Sequence, residues 1–239
     1  TFERYVAAKQ VVLDHQAPGG RAVLGAGAAA HVSPRVEDVT IISDVDALPD
    51  IPQLTLPGKH NRFNAHVAIA ACRDACTFDA ACDALADFRG LPHRMQRVVD
   101  FGGVPFFNDS KATTPDATFL ALSGFAPQCV HLIVGGYDKG VDLAPMTAFA
   151  ALHCKAIYTI GQTGDAIADI ADAGDAQVVR CVDLDTAVEA VIERLAPGDV
   201  VLLSPACASY GQFENFEQRG AAFVEAVLRC TGEGARPPG

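Results

Sequence analysis

The chain has 239 residues, half of them hydrophobic, with no tryptophan and a formal net charge of −11, enough to bury one large core or two smaller ones. That charge, with no Lys/Arg cluster to offset it, argues against a nucleic acid held through its phosphates. No run approaches the roughly 20 apolar residues that span a bilayer and no charged-then-apolar leader opens the chain, so the expectation is a cytoplasmic monomer acting on small molecules, without membrane or nucleic-acid partners.

Thr1-Phe2-Glu3-Arg4-Tyr5 already reads as helix, without an initiator Met, as in a fragment of a longer protein. Phe2, Tyr5, Val6, Val12 and Leu13 form an apolar stripe at i, i+3, i+4 spacing, and Lys9 lies inside it. An ammonium there either snorkels to water or is desolvated, with a lowered pKa that lets it take up CO₂ and present a carbamate to a metal ion. Residues 21 to 56 hold short apolar runs (Ala22-Val23-Leu24, Val39-Thr40-Ile41-Ile42, Leu54-Thr55-Leu56) that suit strands and turns. Gly25-Ala26-Gly27-Ala28-Ala29-Ala30 reads as a flexible turn, since the spacing and Lys of a P-loop are absent.

From Gly58 an Ala-rich helix is expected to about Cys76, and another over 78–88. Asn61 and Asn64, one turn apart, can read the edge of a flat heterocycle such as adenine; N-capping of the helix is the alternative, and it accounts for one of them better than for two. The eight cysteines are scattered without a CxxC pair, so they read as reduced thiols. Cys207, beside a loop at the ligand edge, is the one placed to be reactive.

Gly90-Leu91-Pro92-His93-Arg94 reads as a hinge, dividing the chain into domains 1–90 and 91–239. Beyond it the expected order is strand 104–108, helix 115–124, strands 130–135 and 156–160, helix 163–173, strand 177–182, helix 184–195, strand 199–204 and helix 213–229. Short apolar runs alternating with helical patterns predict an α/β, Rossmann-like domain with a mostly parallel sheet covered on both faces. Three strand ends then carry polar groups: Asn108-Asp109-Ser110-Lys111-Ala112-Thr113, Gly135-Gly136-Tyr137-Asp138-Lys139-Gly140 and Ser204-Pro205-Ala206-Cys207-Ala208-Ser209. Each alone is an ordinary turn; together, at the carboxyl edge of one sheet, they suit an anionic ligand.

These three segments, with Leu91-Pro92-His93-Arg94 and Phe213-Glu214-Asn215-Phe216-Glu217-Gln218-Arg219-Gly220, resemble the Mur ligase family. The likeness covers nearly the whole chain and is weakest over 20–56. The Asp-Asn-Pro-Arg signature of the diaminopimelate-adding members is absent. The resemblance implies ATP-driven amide synthesis through an acyl phosphate, joining D-glutamate to UDP-N-acetylmuramoyl-L-alanine, with Mg²⁺ as cofactor. By the same resemblance Lys9 is the carbamylated lysine that helps hold the metal; Asn61, Asn64, His93, Arg94 and Asp109 belong to the ATP site; and Lys111, Thr113, Lys139, Ser209 and Phe216 surround the D-glutamate. Lys9, Lys111 and Lys139 are the catalytic candidates.

The family's uridine-nucleotide domain and its P-loop have no counterpart in this sequence. Residues 1–90 therefore resemble part of a central ATPase-type domain and 91–239 a whole C-terminal domain, a fragment expected not to turn over by itself. Two other readings stay open: a non-catalytic binding module of the same fold, and a different ATP-dependent amino-acid ligase of the folylpolyglutamate-synthase kind.

Overall fold

The computed structural model describes residues 1–51, 54, 58–88 and 90–232, and the chain divides into two compact units, Thr1–Phe88 and Arg89–Gly239. The first contains α1 (Phe2–Asp14), β1 (Arg21–Gly25), α2 (Ala26–Ala29), β2 (Asp38–Ile42), α3 (Lys59–Ala71) and α4 (Phe78–Ala86). β1 and β2 pair in parallel, Arg21 opposite Asp38 and Gly25 opposite Ile42, and α3 contributes Ala65 to a small core with Ile51 and Cys82. The expected flexible turn at 25–30 is instead a short helix, as a run of alanines favours. Of the third apolar run only Leu54 lies within the described residues.

The stripe on α1 does not pack as the sequence predicts. Phe2, Tyr5 and Val12 are exposed and only Leu13 is buried. Helical spacing fixes which side chains share a face, but not whether anything covers that face.

The second unit holds β3 (Gln96–Phe101), β4 (Val104–Asn108), α5 (Pro115–Leu122), β5 (Val130–Gly135), α6 (Ala144–His153), β6 (Ala156–Ile160), α7 (Gly164–Ala171), β7 (Gln177–Arg180), α8 (Leu184–Ile192), β8 (Val200–Leu203) and α9 (Phe216–Thr231). Its sheet runs β3-β4-β8-β5-β6-β7. β3 is antiparallel to β4 and the other neighbours are parallel, so the expected α/β architecture is present with an added antiparallel edge. Two elements go beyond the sequence reading: β3, joined to β4 through Gly102 and Gly103, both at positive φ, and α6.

Period-two alternation sorts the strands between two cores. Val130, Leu132 and Val134 of β5 face one cluster with Leu122, Met146, Ala150 and Ile167 from α5, α6 and α7. Ile133, Tyr158 and Leu203 face the other, with Val188 of α8 and Phe223 and Val227 of α9. Each fully buried large side chain in these layers contributes about 1.5–3 kcal/mol.

At the amino edge of the sheet a buried polar network is closed on itself. His131 lies 2.9 Å from the Tyr158 hydroxyl and 3.0 Å from Asp199, whose carboxylate also accepts from Lys155 Nζ at 2.7 and 2.8 Å and from Ala196 N at 2.7 Å. Burial alone would raise the Asp199 pKa; the hydrogen bonds from Lys155, Ala196 and His131 outweigh it and hold the carboxyl below its ordinary range.

At the carboxyl edge the chain makes a tight exit from β5. Gly135 has φ +116, and a Cβ there would lie 2.2 Å from the Ile160 carbonyl oxygen of the next strand, so only glycine lets the two strand ends approach. Gly140 also has a positive φ, +70, but a Cβ there would meet nothing within 4 Å. Gly135→Ala is therefore expected to destabilise by about 3 kcal/mol or more and Gly140→Ala by about 1 kcal/mol. Urea denaturation of the two variants checks the difference; equal losses would show that backbone conformation, not the close approach, sets the cost.

Candidate functional site

β4, β8 and β5 lie side by side in parallel, but their exits diverge. The chain leaves β4 and β5 for α5 and α6 on one face of the sheet, and leaves β8 for α9 on the other. Such divergence opens a crevice beyond the carboxyl ends, where open α/β sheets bind ligands.

Backbone and side-chain bonds tie the loops at this edge together. Asp109 N donates to Leu203 O (2.8 Å), Gly135 N to Pro205 O (2.9 Å) and Tyr137 N to Ala208 O (2.9 Å). The β6 end joins through Thr163: Gly136 N donates to its Oγ1 at 3.0 Å, its own N donates to Gly136 O at 3.0 Å, and Gln162 accepts from Asp138 N at 3.2 Å. Four strand ends, not three, therefore build the rim. Thr113, Tyr137, Lys139, Thr163 and Cys207 line one shallow cleft there.

Within this rim Lys111 and Lys139 are exposed, and among the described residues neither pairs with a carboxylate. Lys111 Nζ lies 4.7 Å from the centre of the Phe216 ring, a cation–π contact. Phe216 is the first residue of α9, whose start is capped by Asn215 accepting from Gln218 N at 2.7 Å. Ser209 is buried, and its carbonyl accepts from Phe213 N at 3.0 Å. Lys111, Thr113, Lys139 and Ser209 thus stand on the loops of one sheet edge, with Phe216 at the start of the helix that follows β8. Two ammonium groups without carboxylate partners stand on this rim of a chain of net charge −11, beside the Asp138 carboxylate that lines the same cleft and accepts from Gly140 N at 2.7 Å, and they offer contacts to an anion.

Arg94 is exposed and flanked by His93 and Met95, both at positive φ (62° and 49°). Each such residue costs on the order of 1–3 kcal/mol; His93 N donating to Gln96 Oε1 at 3.0 Å and Met95 N to Asp109 Oδ1 at 3.2 Å hold the kink. The kink turns the Arg94 guanidinium outward and the His93 ring inward, 3.1 Å from Asn108 Nδ2 and against Gly220. Asp109 is buried, accepting from Met95 N and, at 2.9 Å, from Ser204 Oγ. Burial pushes its carboxyl up to about 6 against the pull of these bonds and of Arg94. Asp109 serves first as an internal brace between the β4 and β8 loops.

Three expectations change. Lys9 is exposed, its Nζ 5.3 Å from the centre of the Tyr5 ring, so of the two readings of its place on the stripe the head lies in water and is not the desolvated amine; no cluster of three His, Cys, Asp or Glu able to hold a metal occurs among the described residues. Neither Asn caps α3, because the N-cap is Gly58 at φ 95; Asn61 is buried and Asn64 exposed. Cys207 is buried, its Sγ 3.3 Å from Thr163 Oγ1, and burial raises its pKa, so it is not a reactive thiolate. All eight thiols are free.

Thr163, Ser204 and Arg219 belong to this edge without having been site candidates in the sequence, although Ser204 and Arg219 lie within segments singled out there. Arg219 does leave a signal there: it lies one turn after Phe216 and four residues before Phe223, a charged group on the apolar face of its helix.

Residues 93–207 match the family model described as Mur ligase, glutamate ligase domain. Over 98% of its length the chain is 38% identical to the UDP-N-acetylmuramoylalanine--D-glutamate ligase of Acidobacterium capsulatum, covering 57% of that protein; it spans about half the length of the curated relatives it matches. Two solved structures share the fold. The UDP-N-acetylmuramoylalanyl-D-glutamyl-2,6-diaminopimelate--D-alanyl-D-alanyl ligase of Acinetobacter baumannii is 15% identical, with a TM-score of 0.61 over 94% of this chain and 54% of that one. The MurF ligase of Thermotoga maritima in complex with ADP is 16% identical, with a TM-score of 0.51 over 72% of this chain and 38% of that one.

The Asp109 carboxyl sets a pH dependence. Its folded pKa of about 6 lies above the unfolded value, so the folded state binds the proton more tightly from about pH 4 to 6. The group's stabilising contribution is complete below that window and is lost as pH rises through 6, by roughly 3 kcal/mol. Asp109→Asn keeps an acceptor and removes the titration, so its stability is expected to change less than the parent's between about pH 4 and 7. Parallel urea-midpoint curves for the two proteins would refute the assignment.

Proposed function

The chain belongs to the Mur ligase family, and on that premise we propose that it is the amino-acid-accepting portion of an ATP-dependent acid–amino-acid ligase that joins D-glutamate to UDP-N-acetylmuramoyl-L-alanine in peptidoglycan precursor synthesis. The observation that carries this reading is the gathering of the Lys111, Lys139 and Ser209 loops on one carboxyl edge, stitched by hydrogen bonds between β4, β5 and β8. A dicarboxylate amino acid needs two cationic contacts and hydroxyl or N–H donors, and these loops carry groups of those kinds, which supports the reading.

In this reading Lys111 and Lys139 each face a carboxylate of D-glutamate, Thr113 and Ser209 donate hydrogen bonds, and Phe216 walls the pocket on the side where Lys111 lies across it. Holding the amino acid in place converts its attack on an activated acyl group into an effectively intramolecular step. The same cations stabilise charge that develops on the acyl phosphate and the tetrahedral intermediate. Arg94, turned outward without an ion-pair partner among the described residues, suits a phosphate of ATP, with His93 and Asp109 fixing the kink that presents it. Asn61 and Asn64 are proposed for the adenine. A magnesium site is not formed by the described side chains; a carbamate on Lys9 would need ligands from beyond the described residues to complete one.

The relative from Acidobacterium capsulatum carries a name that states D-glutamate addition, and the Thermotoga maritima neighbour holds ADP; both agree with the reading. The experiment is calorimetric titration of the purified chain with D-glutamate, L-glutamate and meso-diaminopimelate. D-Glutamate is expected to bind preferentially, and Lys139→Ala to weaken it by about tenfold or more, which is about 1.4 kcal/mol. Equal response to all three compounds, or full affinity in the variant, would overturn the proposal.

A further inference from the structure

On the reading that this rim holds D-glutamate, we propose that Arg219 is the positioning residue of the site: its buried guanidinium locks the β4 and β8 loops at one separation so that Lys111 and Ser209 reach the same ligand.

Arg219 is only 1% exposed, the largest of the fully buried side chains. Its Nε donates to Ser110 Oγ at 3.0 Å and its Nη2 to Ser110 O at 2.9 Å, while Nη1 donates to Cys207 O at 3.0 Å. One planar fork therefore grips the residue before Lys111 and the loop that ends in Ser209. It also borders the third loop, because a Cβ on Gly136 would fall 3.2 Å from Nη1. Ser110 Oγ passes the restraint on by donating to Phe216 O at 2.8 Å, which fixes the start of α9 and the ring beneath Lys111.

The energetics make this an unusual choice for a mere packing residue. Among the described residues no carboxylate lies within ion-pair distance of Arg219; its acceptors are two carbonyls and a hydroxyl. Burying a charge without a counter-ion is costly, and burial lowers the Arg219 pKa to about 10. A neutral apolar side chain would fill the space at less cost but could not hold two loops through three directed bonds. Lysine, with a single ammonium, lacks the fork geometry needed to reach both carbonyls and the hydroxyl together. The uncompensated charge also sits against the loops that carry the two exposed lysines, where it adds to the attraction for a dicarboxylate.

The test compares the full chain with Arg219→Lys and Arg219→Ala, reading D-glutamate affinity, thermal unfolding and amide hydrogen exchange. Arg219→Lys is expected to unfold cooperatively yet bind D-glutamate about thirtyfold more weakly, with faster exchange at residues 110–113 and 207–209 together and unchanged exchange in β5 and β6. Methylguanidinium is expected to restore binding to Arg219→Ala at least about tenfold and to leave the parent unaffected. Parental affinity in a folded Arg219→Lys, or rescue of thermal stability without rescue of binding, would overturn the proposal. If Arg219→Ala does not fold, the lysine variant decides. Should the parent itself not bind D-glutamate, the reading of the ligand fails; the loop-locking role is then judged by exchange alone, upheld by concerted loosening of the two loops and overturned by loosening of one loop or of the whole fold.

Discussion

The insertion of β8 between β4 and β5 is the constraint on which the second unit's site depends. Because β8 runs parallel to both neighbours while its exit turns to the opposite face, the loops after β4 and β5 leave one way and the loop after β8 the other. The space between them cannot be filled by any of the three helices that follow. What keeps the crevice from collapsing is the set of bonds across it: Asp109 N to Leu203 O, Ser204 Oγ to Asp109, Gly135 N to Pro205 O and Tyr137 N to Ala208 O. Local loop sequence decides which side chains stand at the rim, but strand order decides that they stand together.

Electrostatics at this rim work through groups of two kinds. Asp109 and Arg219 are buried and have opposite charge, yet they do not pair; each is held by neutral partners, and burial moves each pKa toward its uncharged form, to about 6 and about 10. Lys111, Lys139 and Arg94 are exposed and lack carboxylate partners among the described residues, in a chain that carries 29 acidic residues against 18 basic ones. With so many carboxylates available, leaving three cations unpaired along one sheet edge is a selective arrangement, and long-range repulsion of anions by the rest of the surface sharpens the contrast.

Much of this is legible in the sequence, and what is not has identifiable causes. β4, β5 and β6 occur over the residues that the apolar runs predict, because strands buried on both faces read as continuous hydrophobic text. β3 escapes because Gln96-Arg97-Val98-Val99-Asp100-Phe101 mixes charge with apolar residues, as an edge strand does, although Gly102-Gly103 between it and β4 is itself a hairpin signal. A basic residue on an apolar stripe needs a reason, and the helix that supplies one is α9 rather than α1. On α1 the stripe is mostly exposed, with Leu13 its buried member and Phe2 against the His31 ring, and Lys9 stays in water; on α9 the stripe packs against the sheet, and Arg219 is drawn into the interior. Periodicity shows a face, and only tertiary structure shows what that face meets. Thr163 and Ser204 are illegible for another reason: a single hydroxyl at a strand end is ordinary, and its value here comes from partners 27 and 95 residues away.

The two ends of the same sheet use their polar groups differently. At the amino edge His131, Tyr158, Asp199 and Lys155 satisfy one another, and each of these side chains has a partner within the network. A network closed in this way has nothing to offer a ligand, and breaking it would strand a buried carboxylate or imidazole. At the carboxyl edge the buried groups, Asn108, Asp109, Ser110 and Arg219, are likewise satisfied, but they are satisfied so as to leave Lys111, Lys139 and Arg94 outside the network. Buried polar bonds there fix backbone positions, and the fixed backbone carries cations that remain free to bind. Pre-organisation of this kind places the ordering cost in folding, before any ligand arrives, which is the condition under which a shallow rim of a few charged groups can be selective.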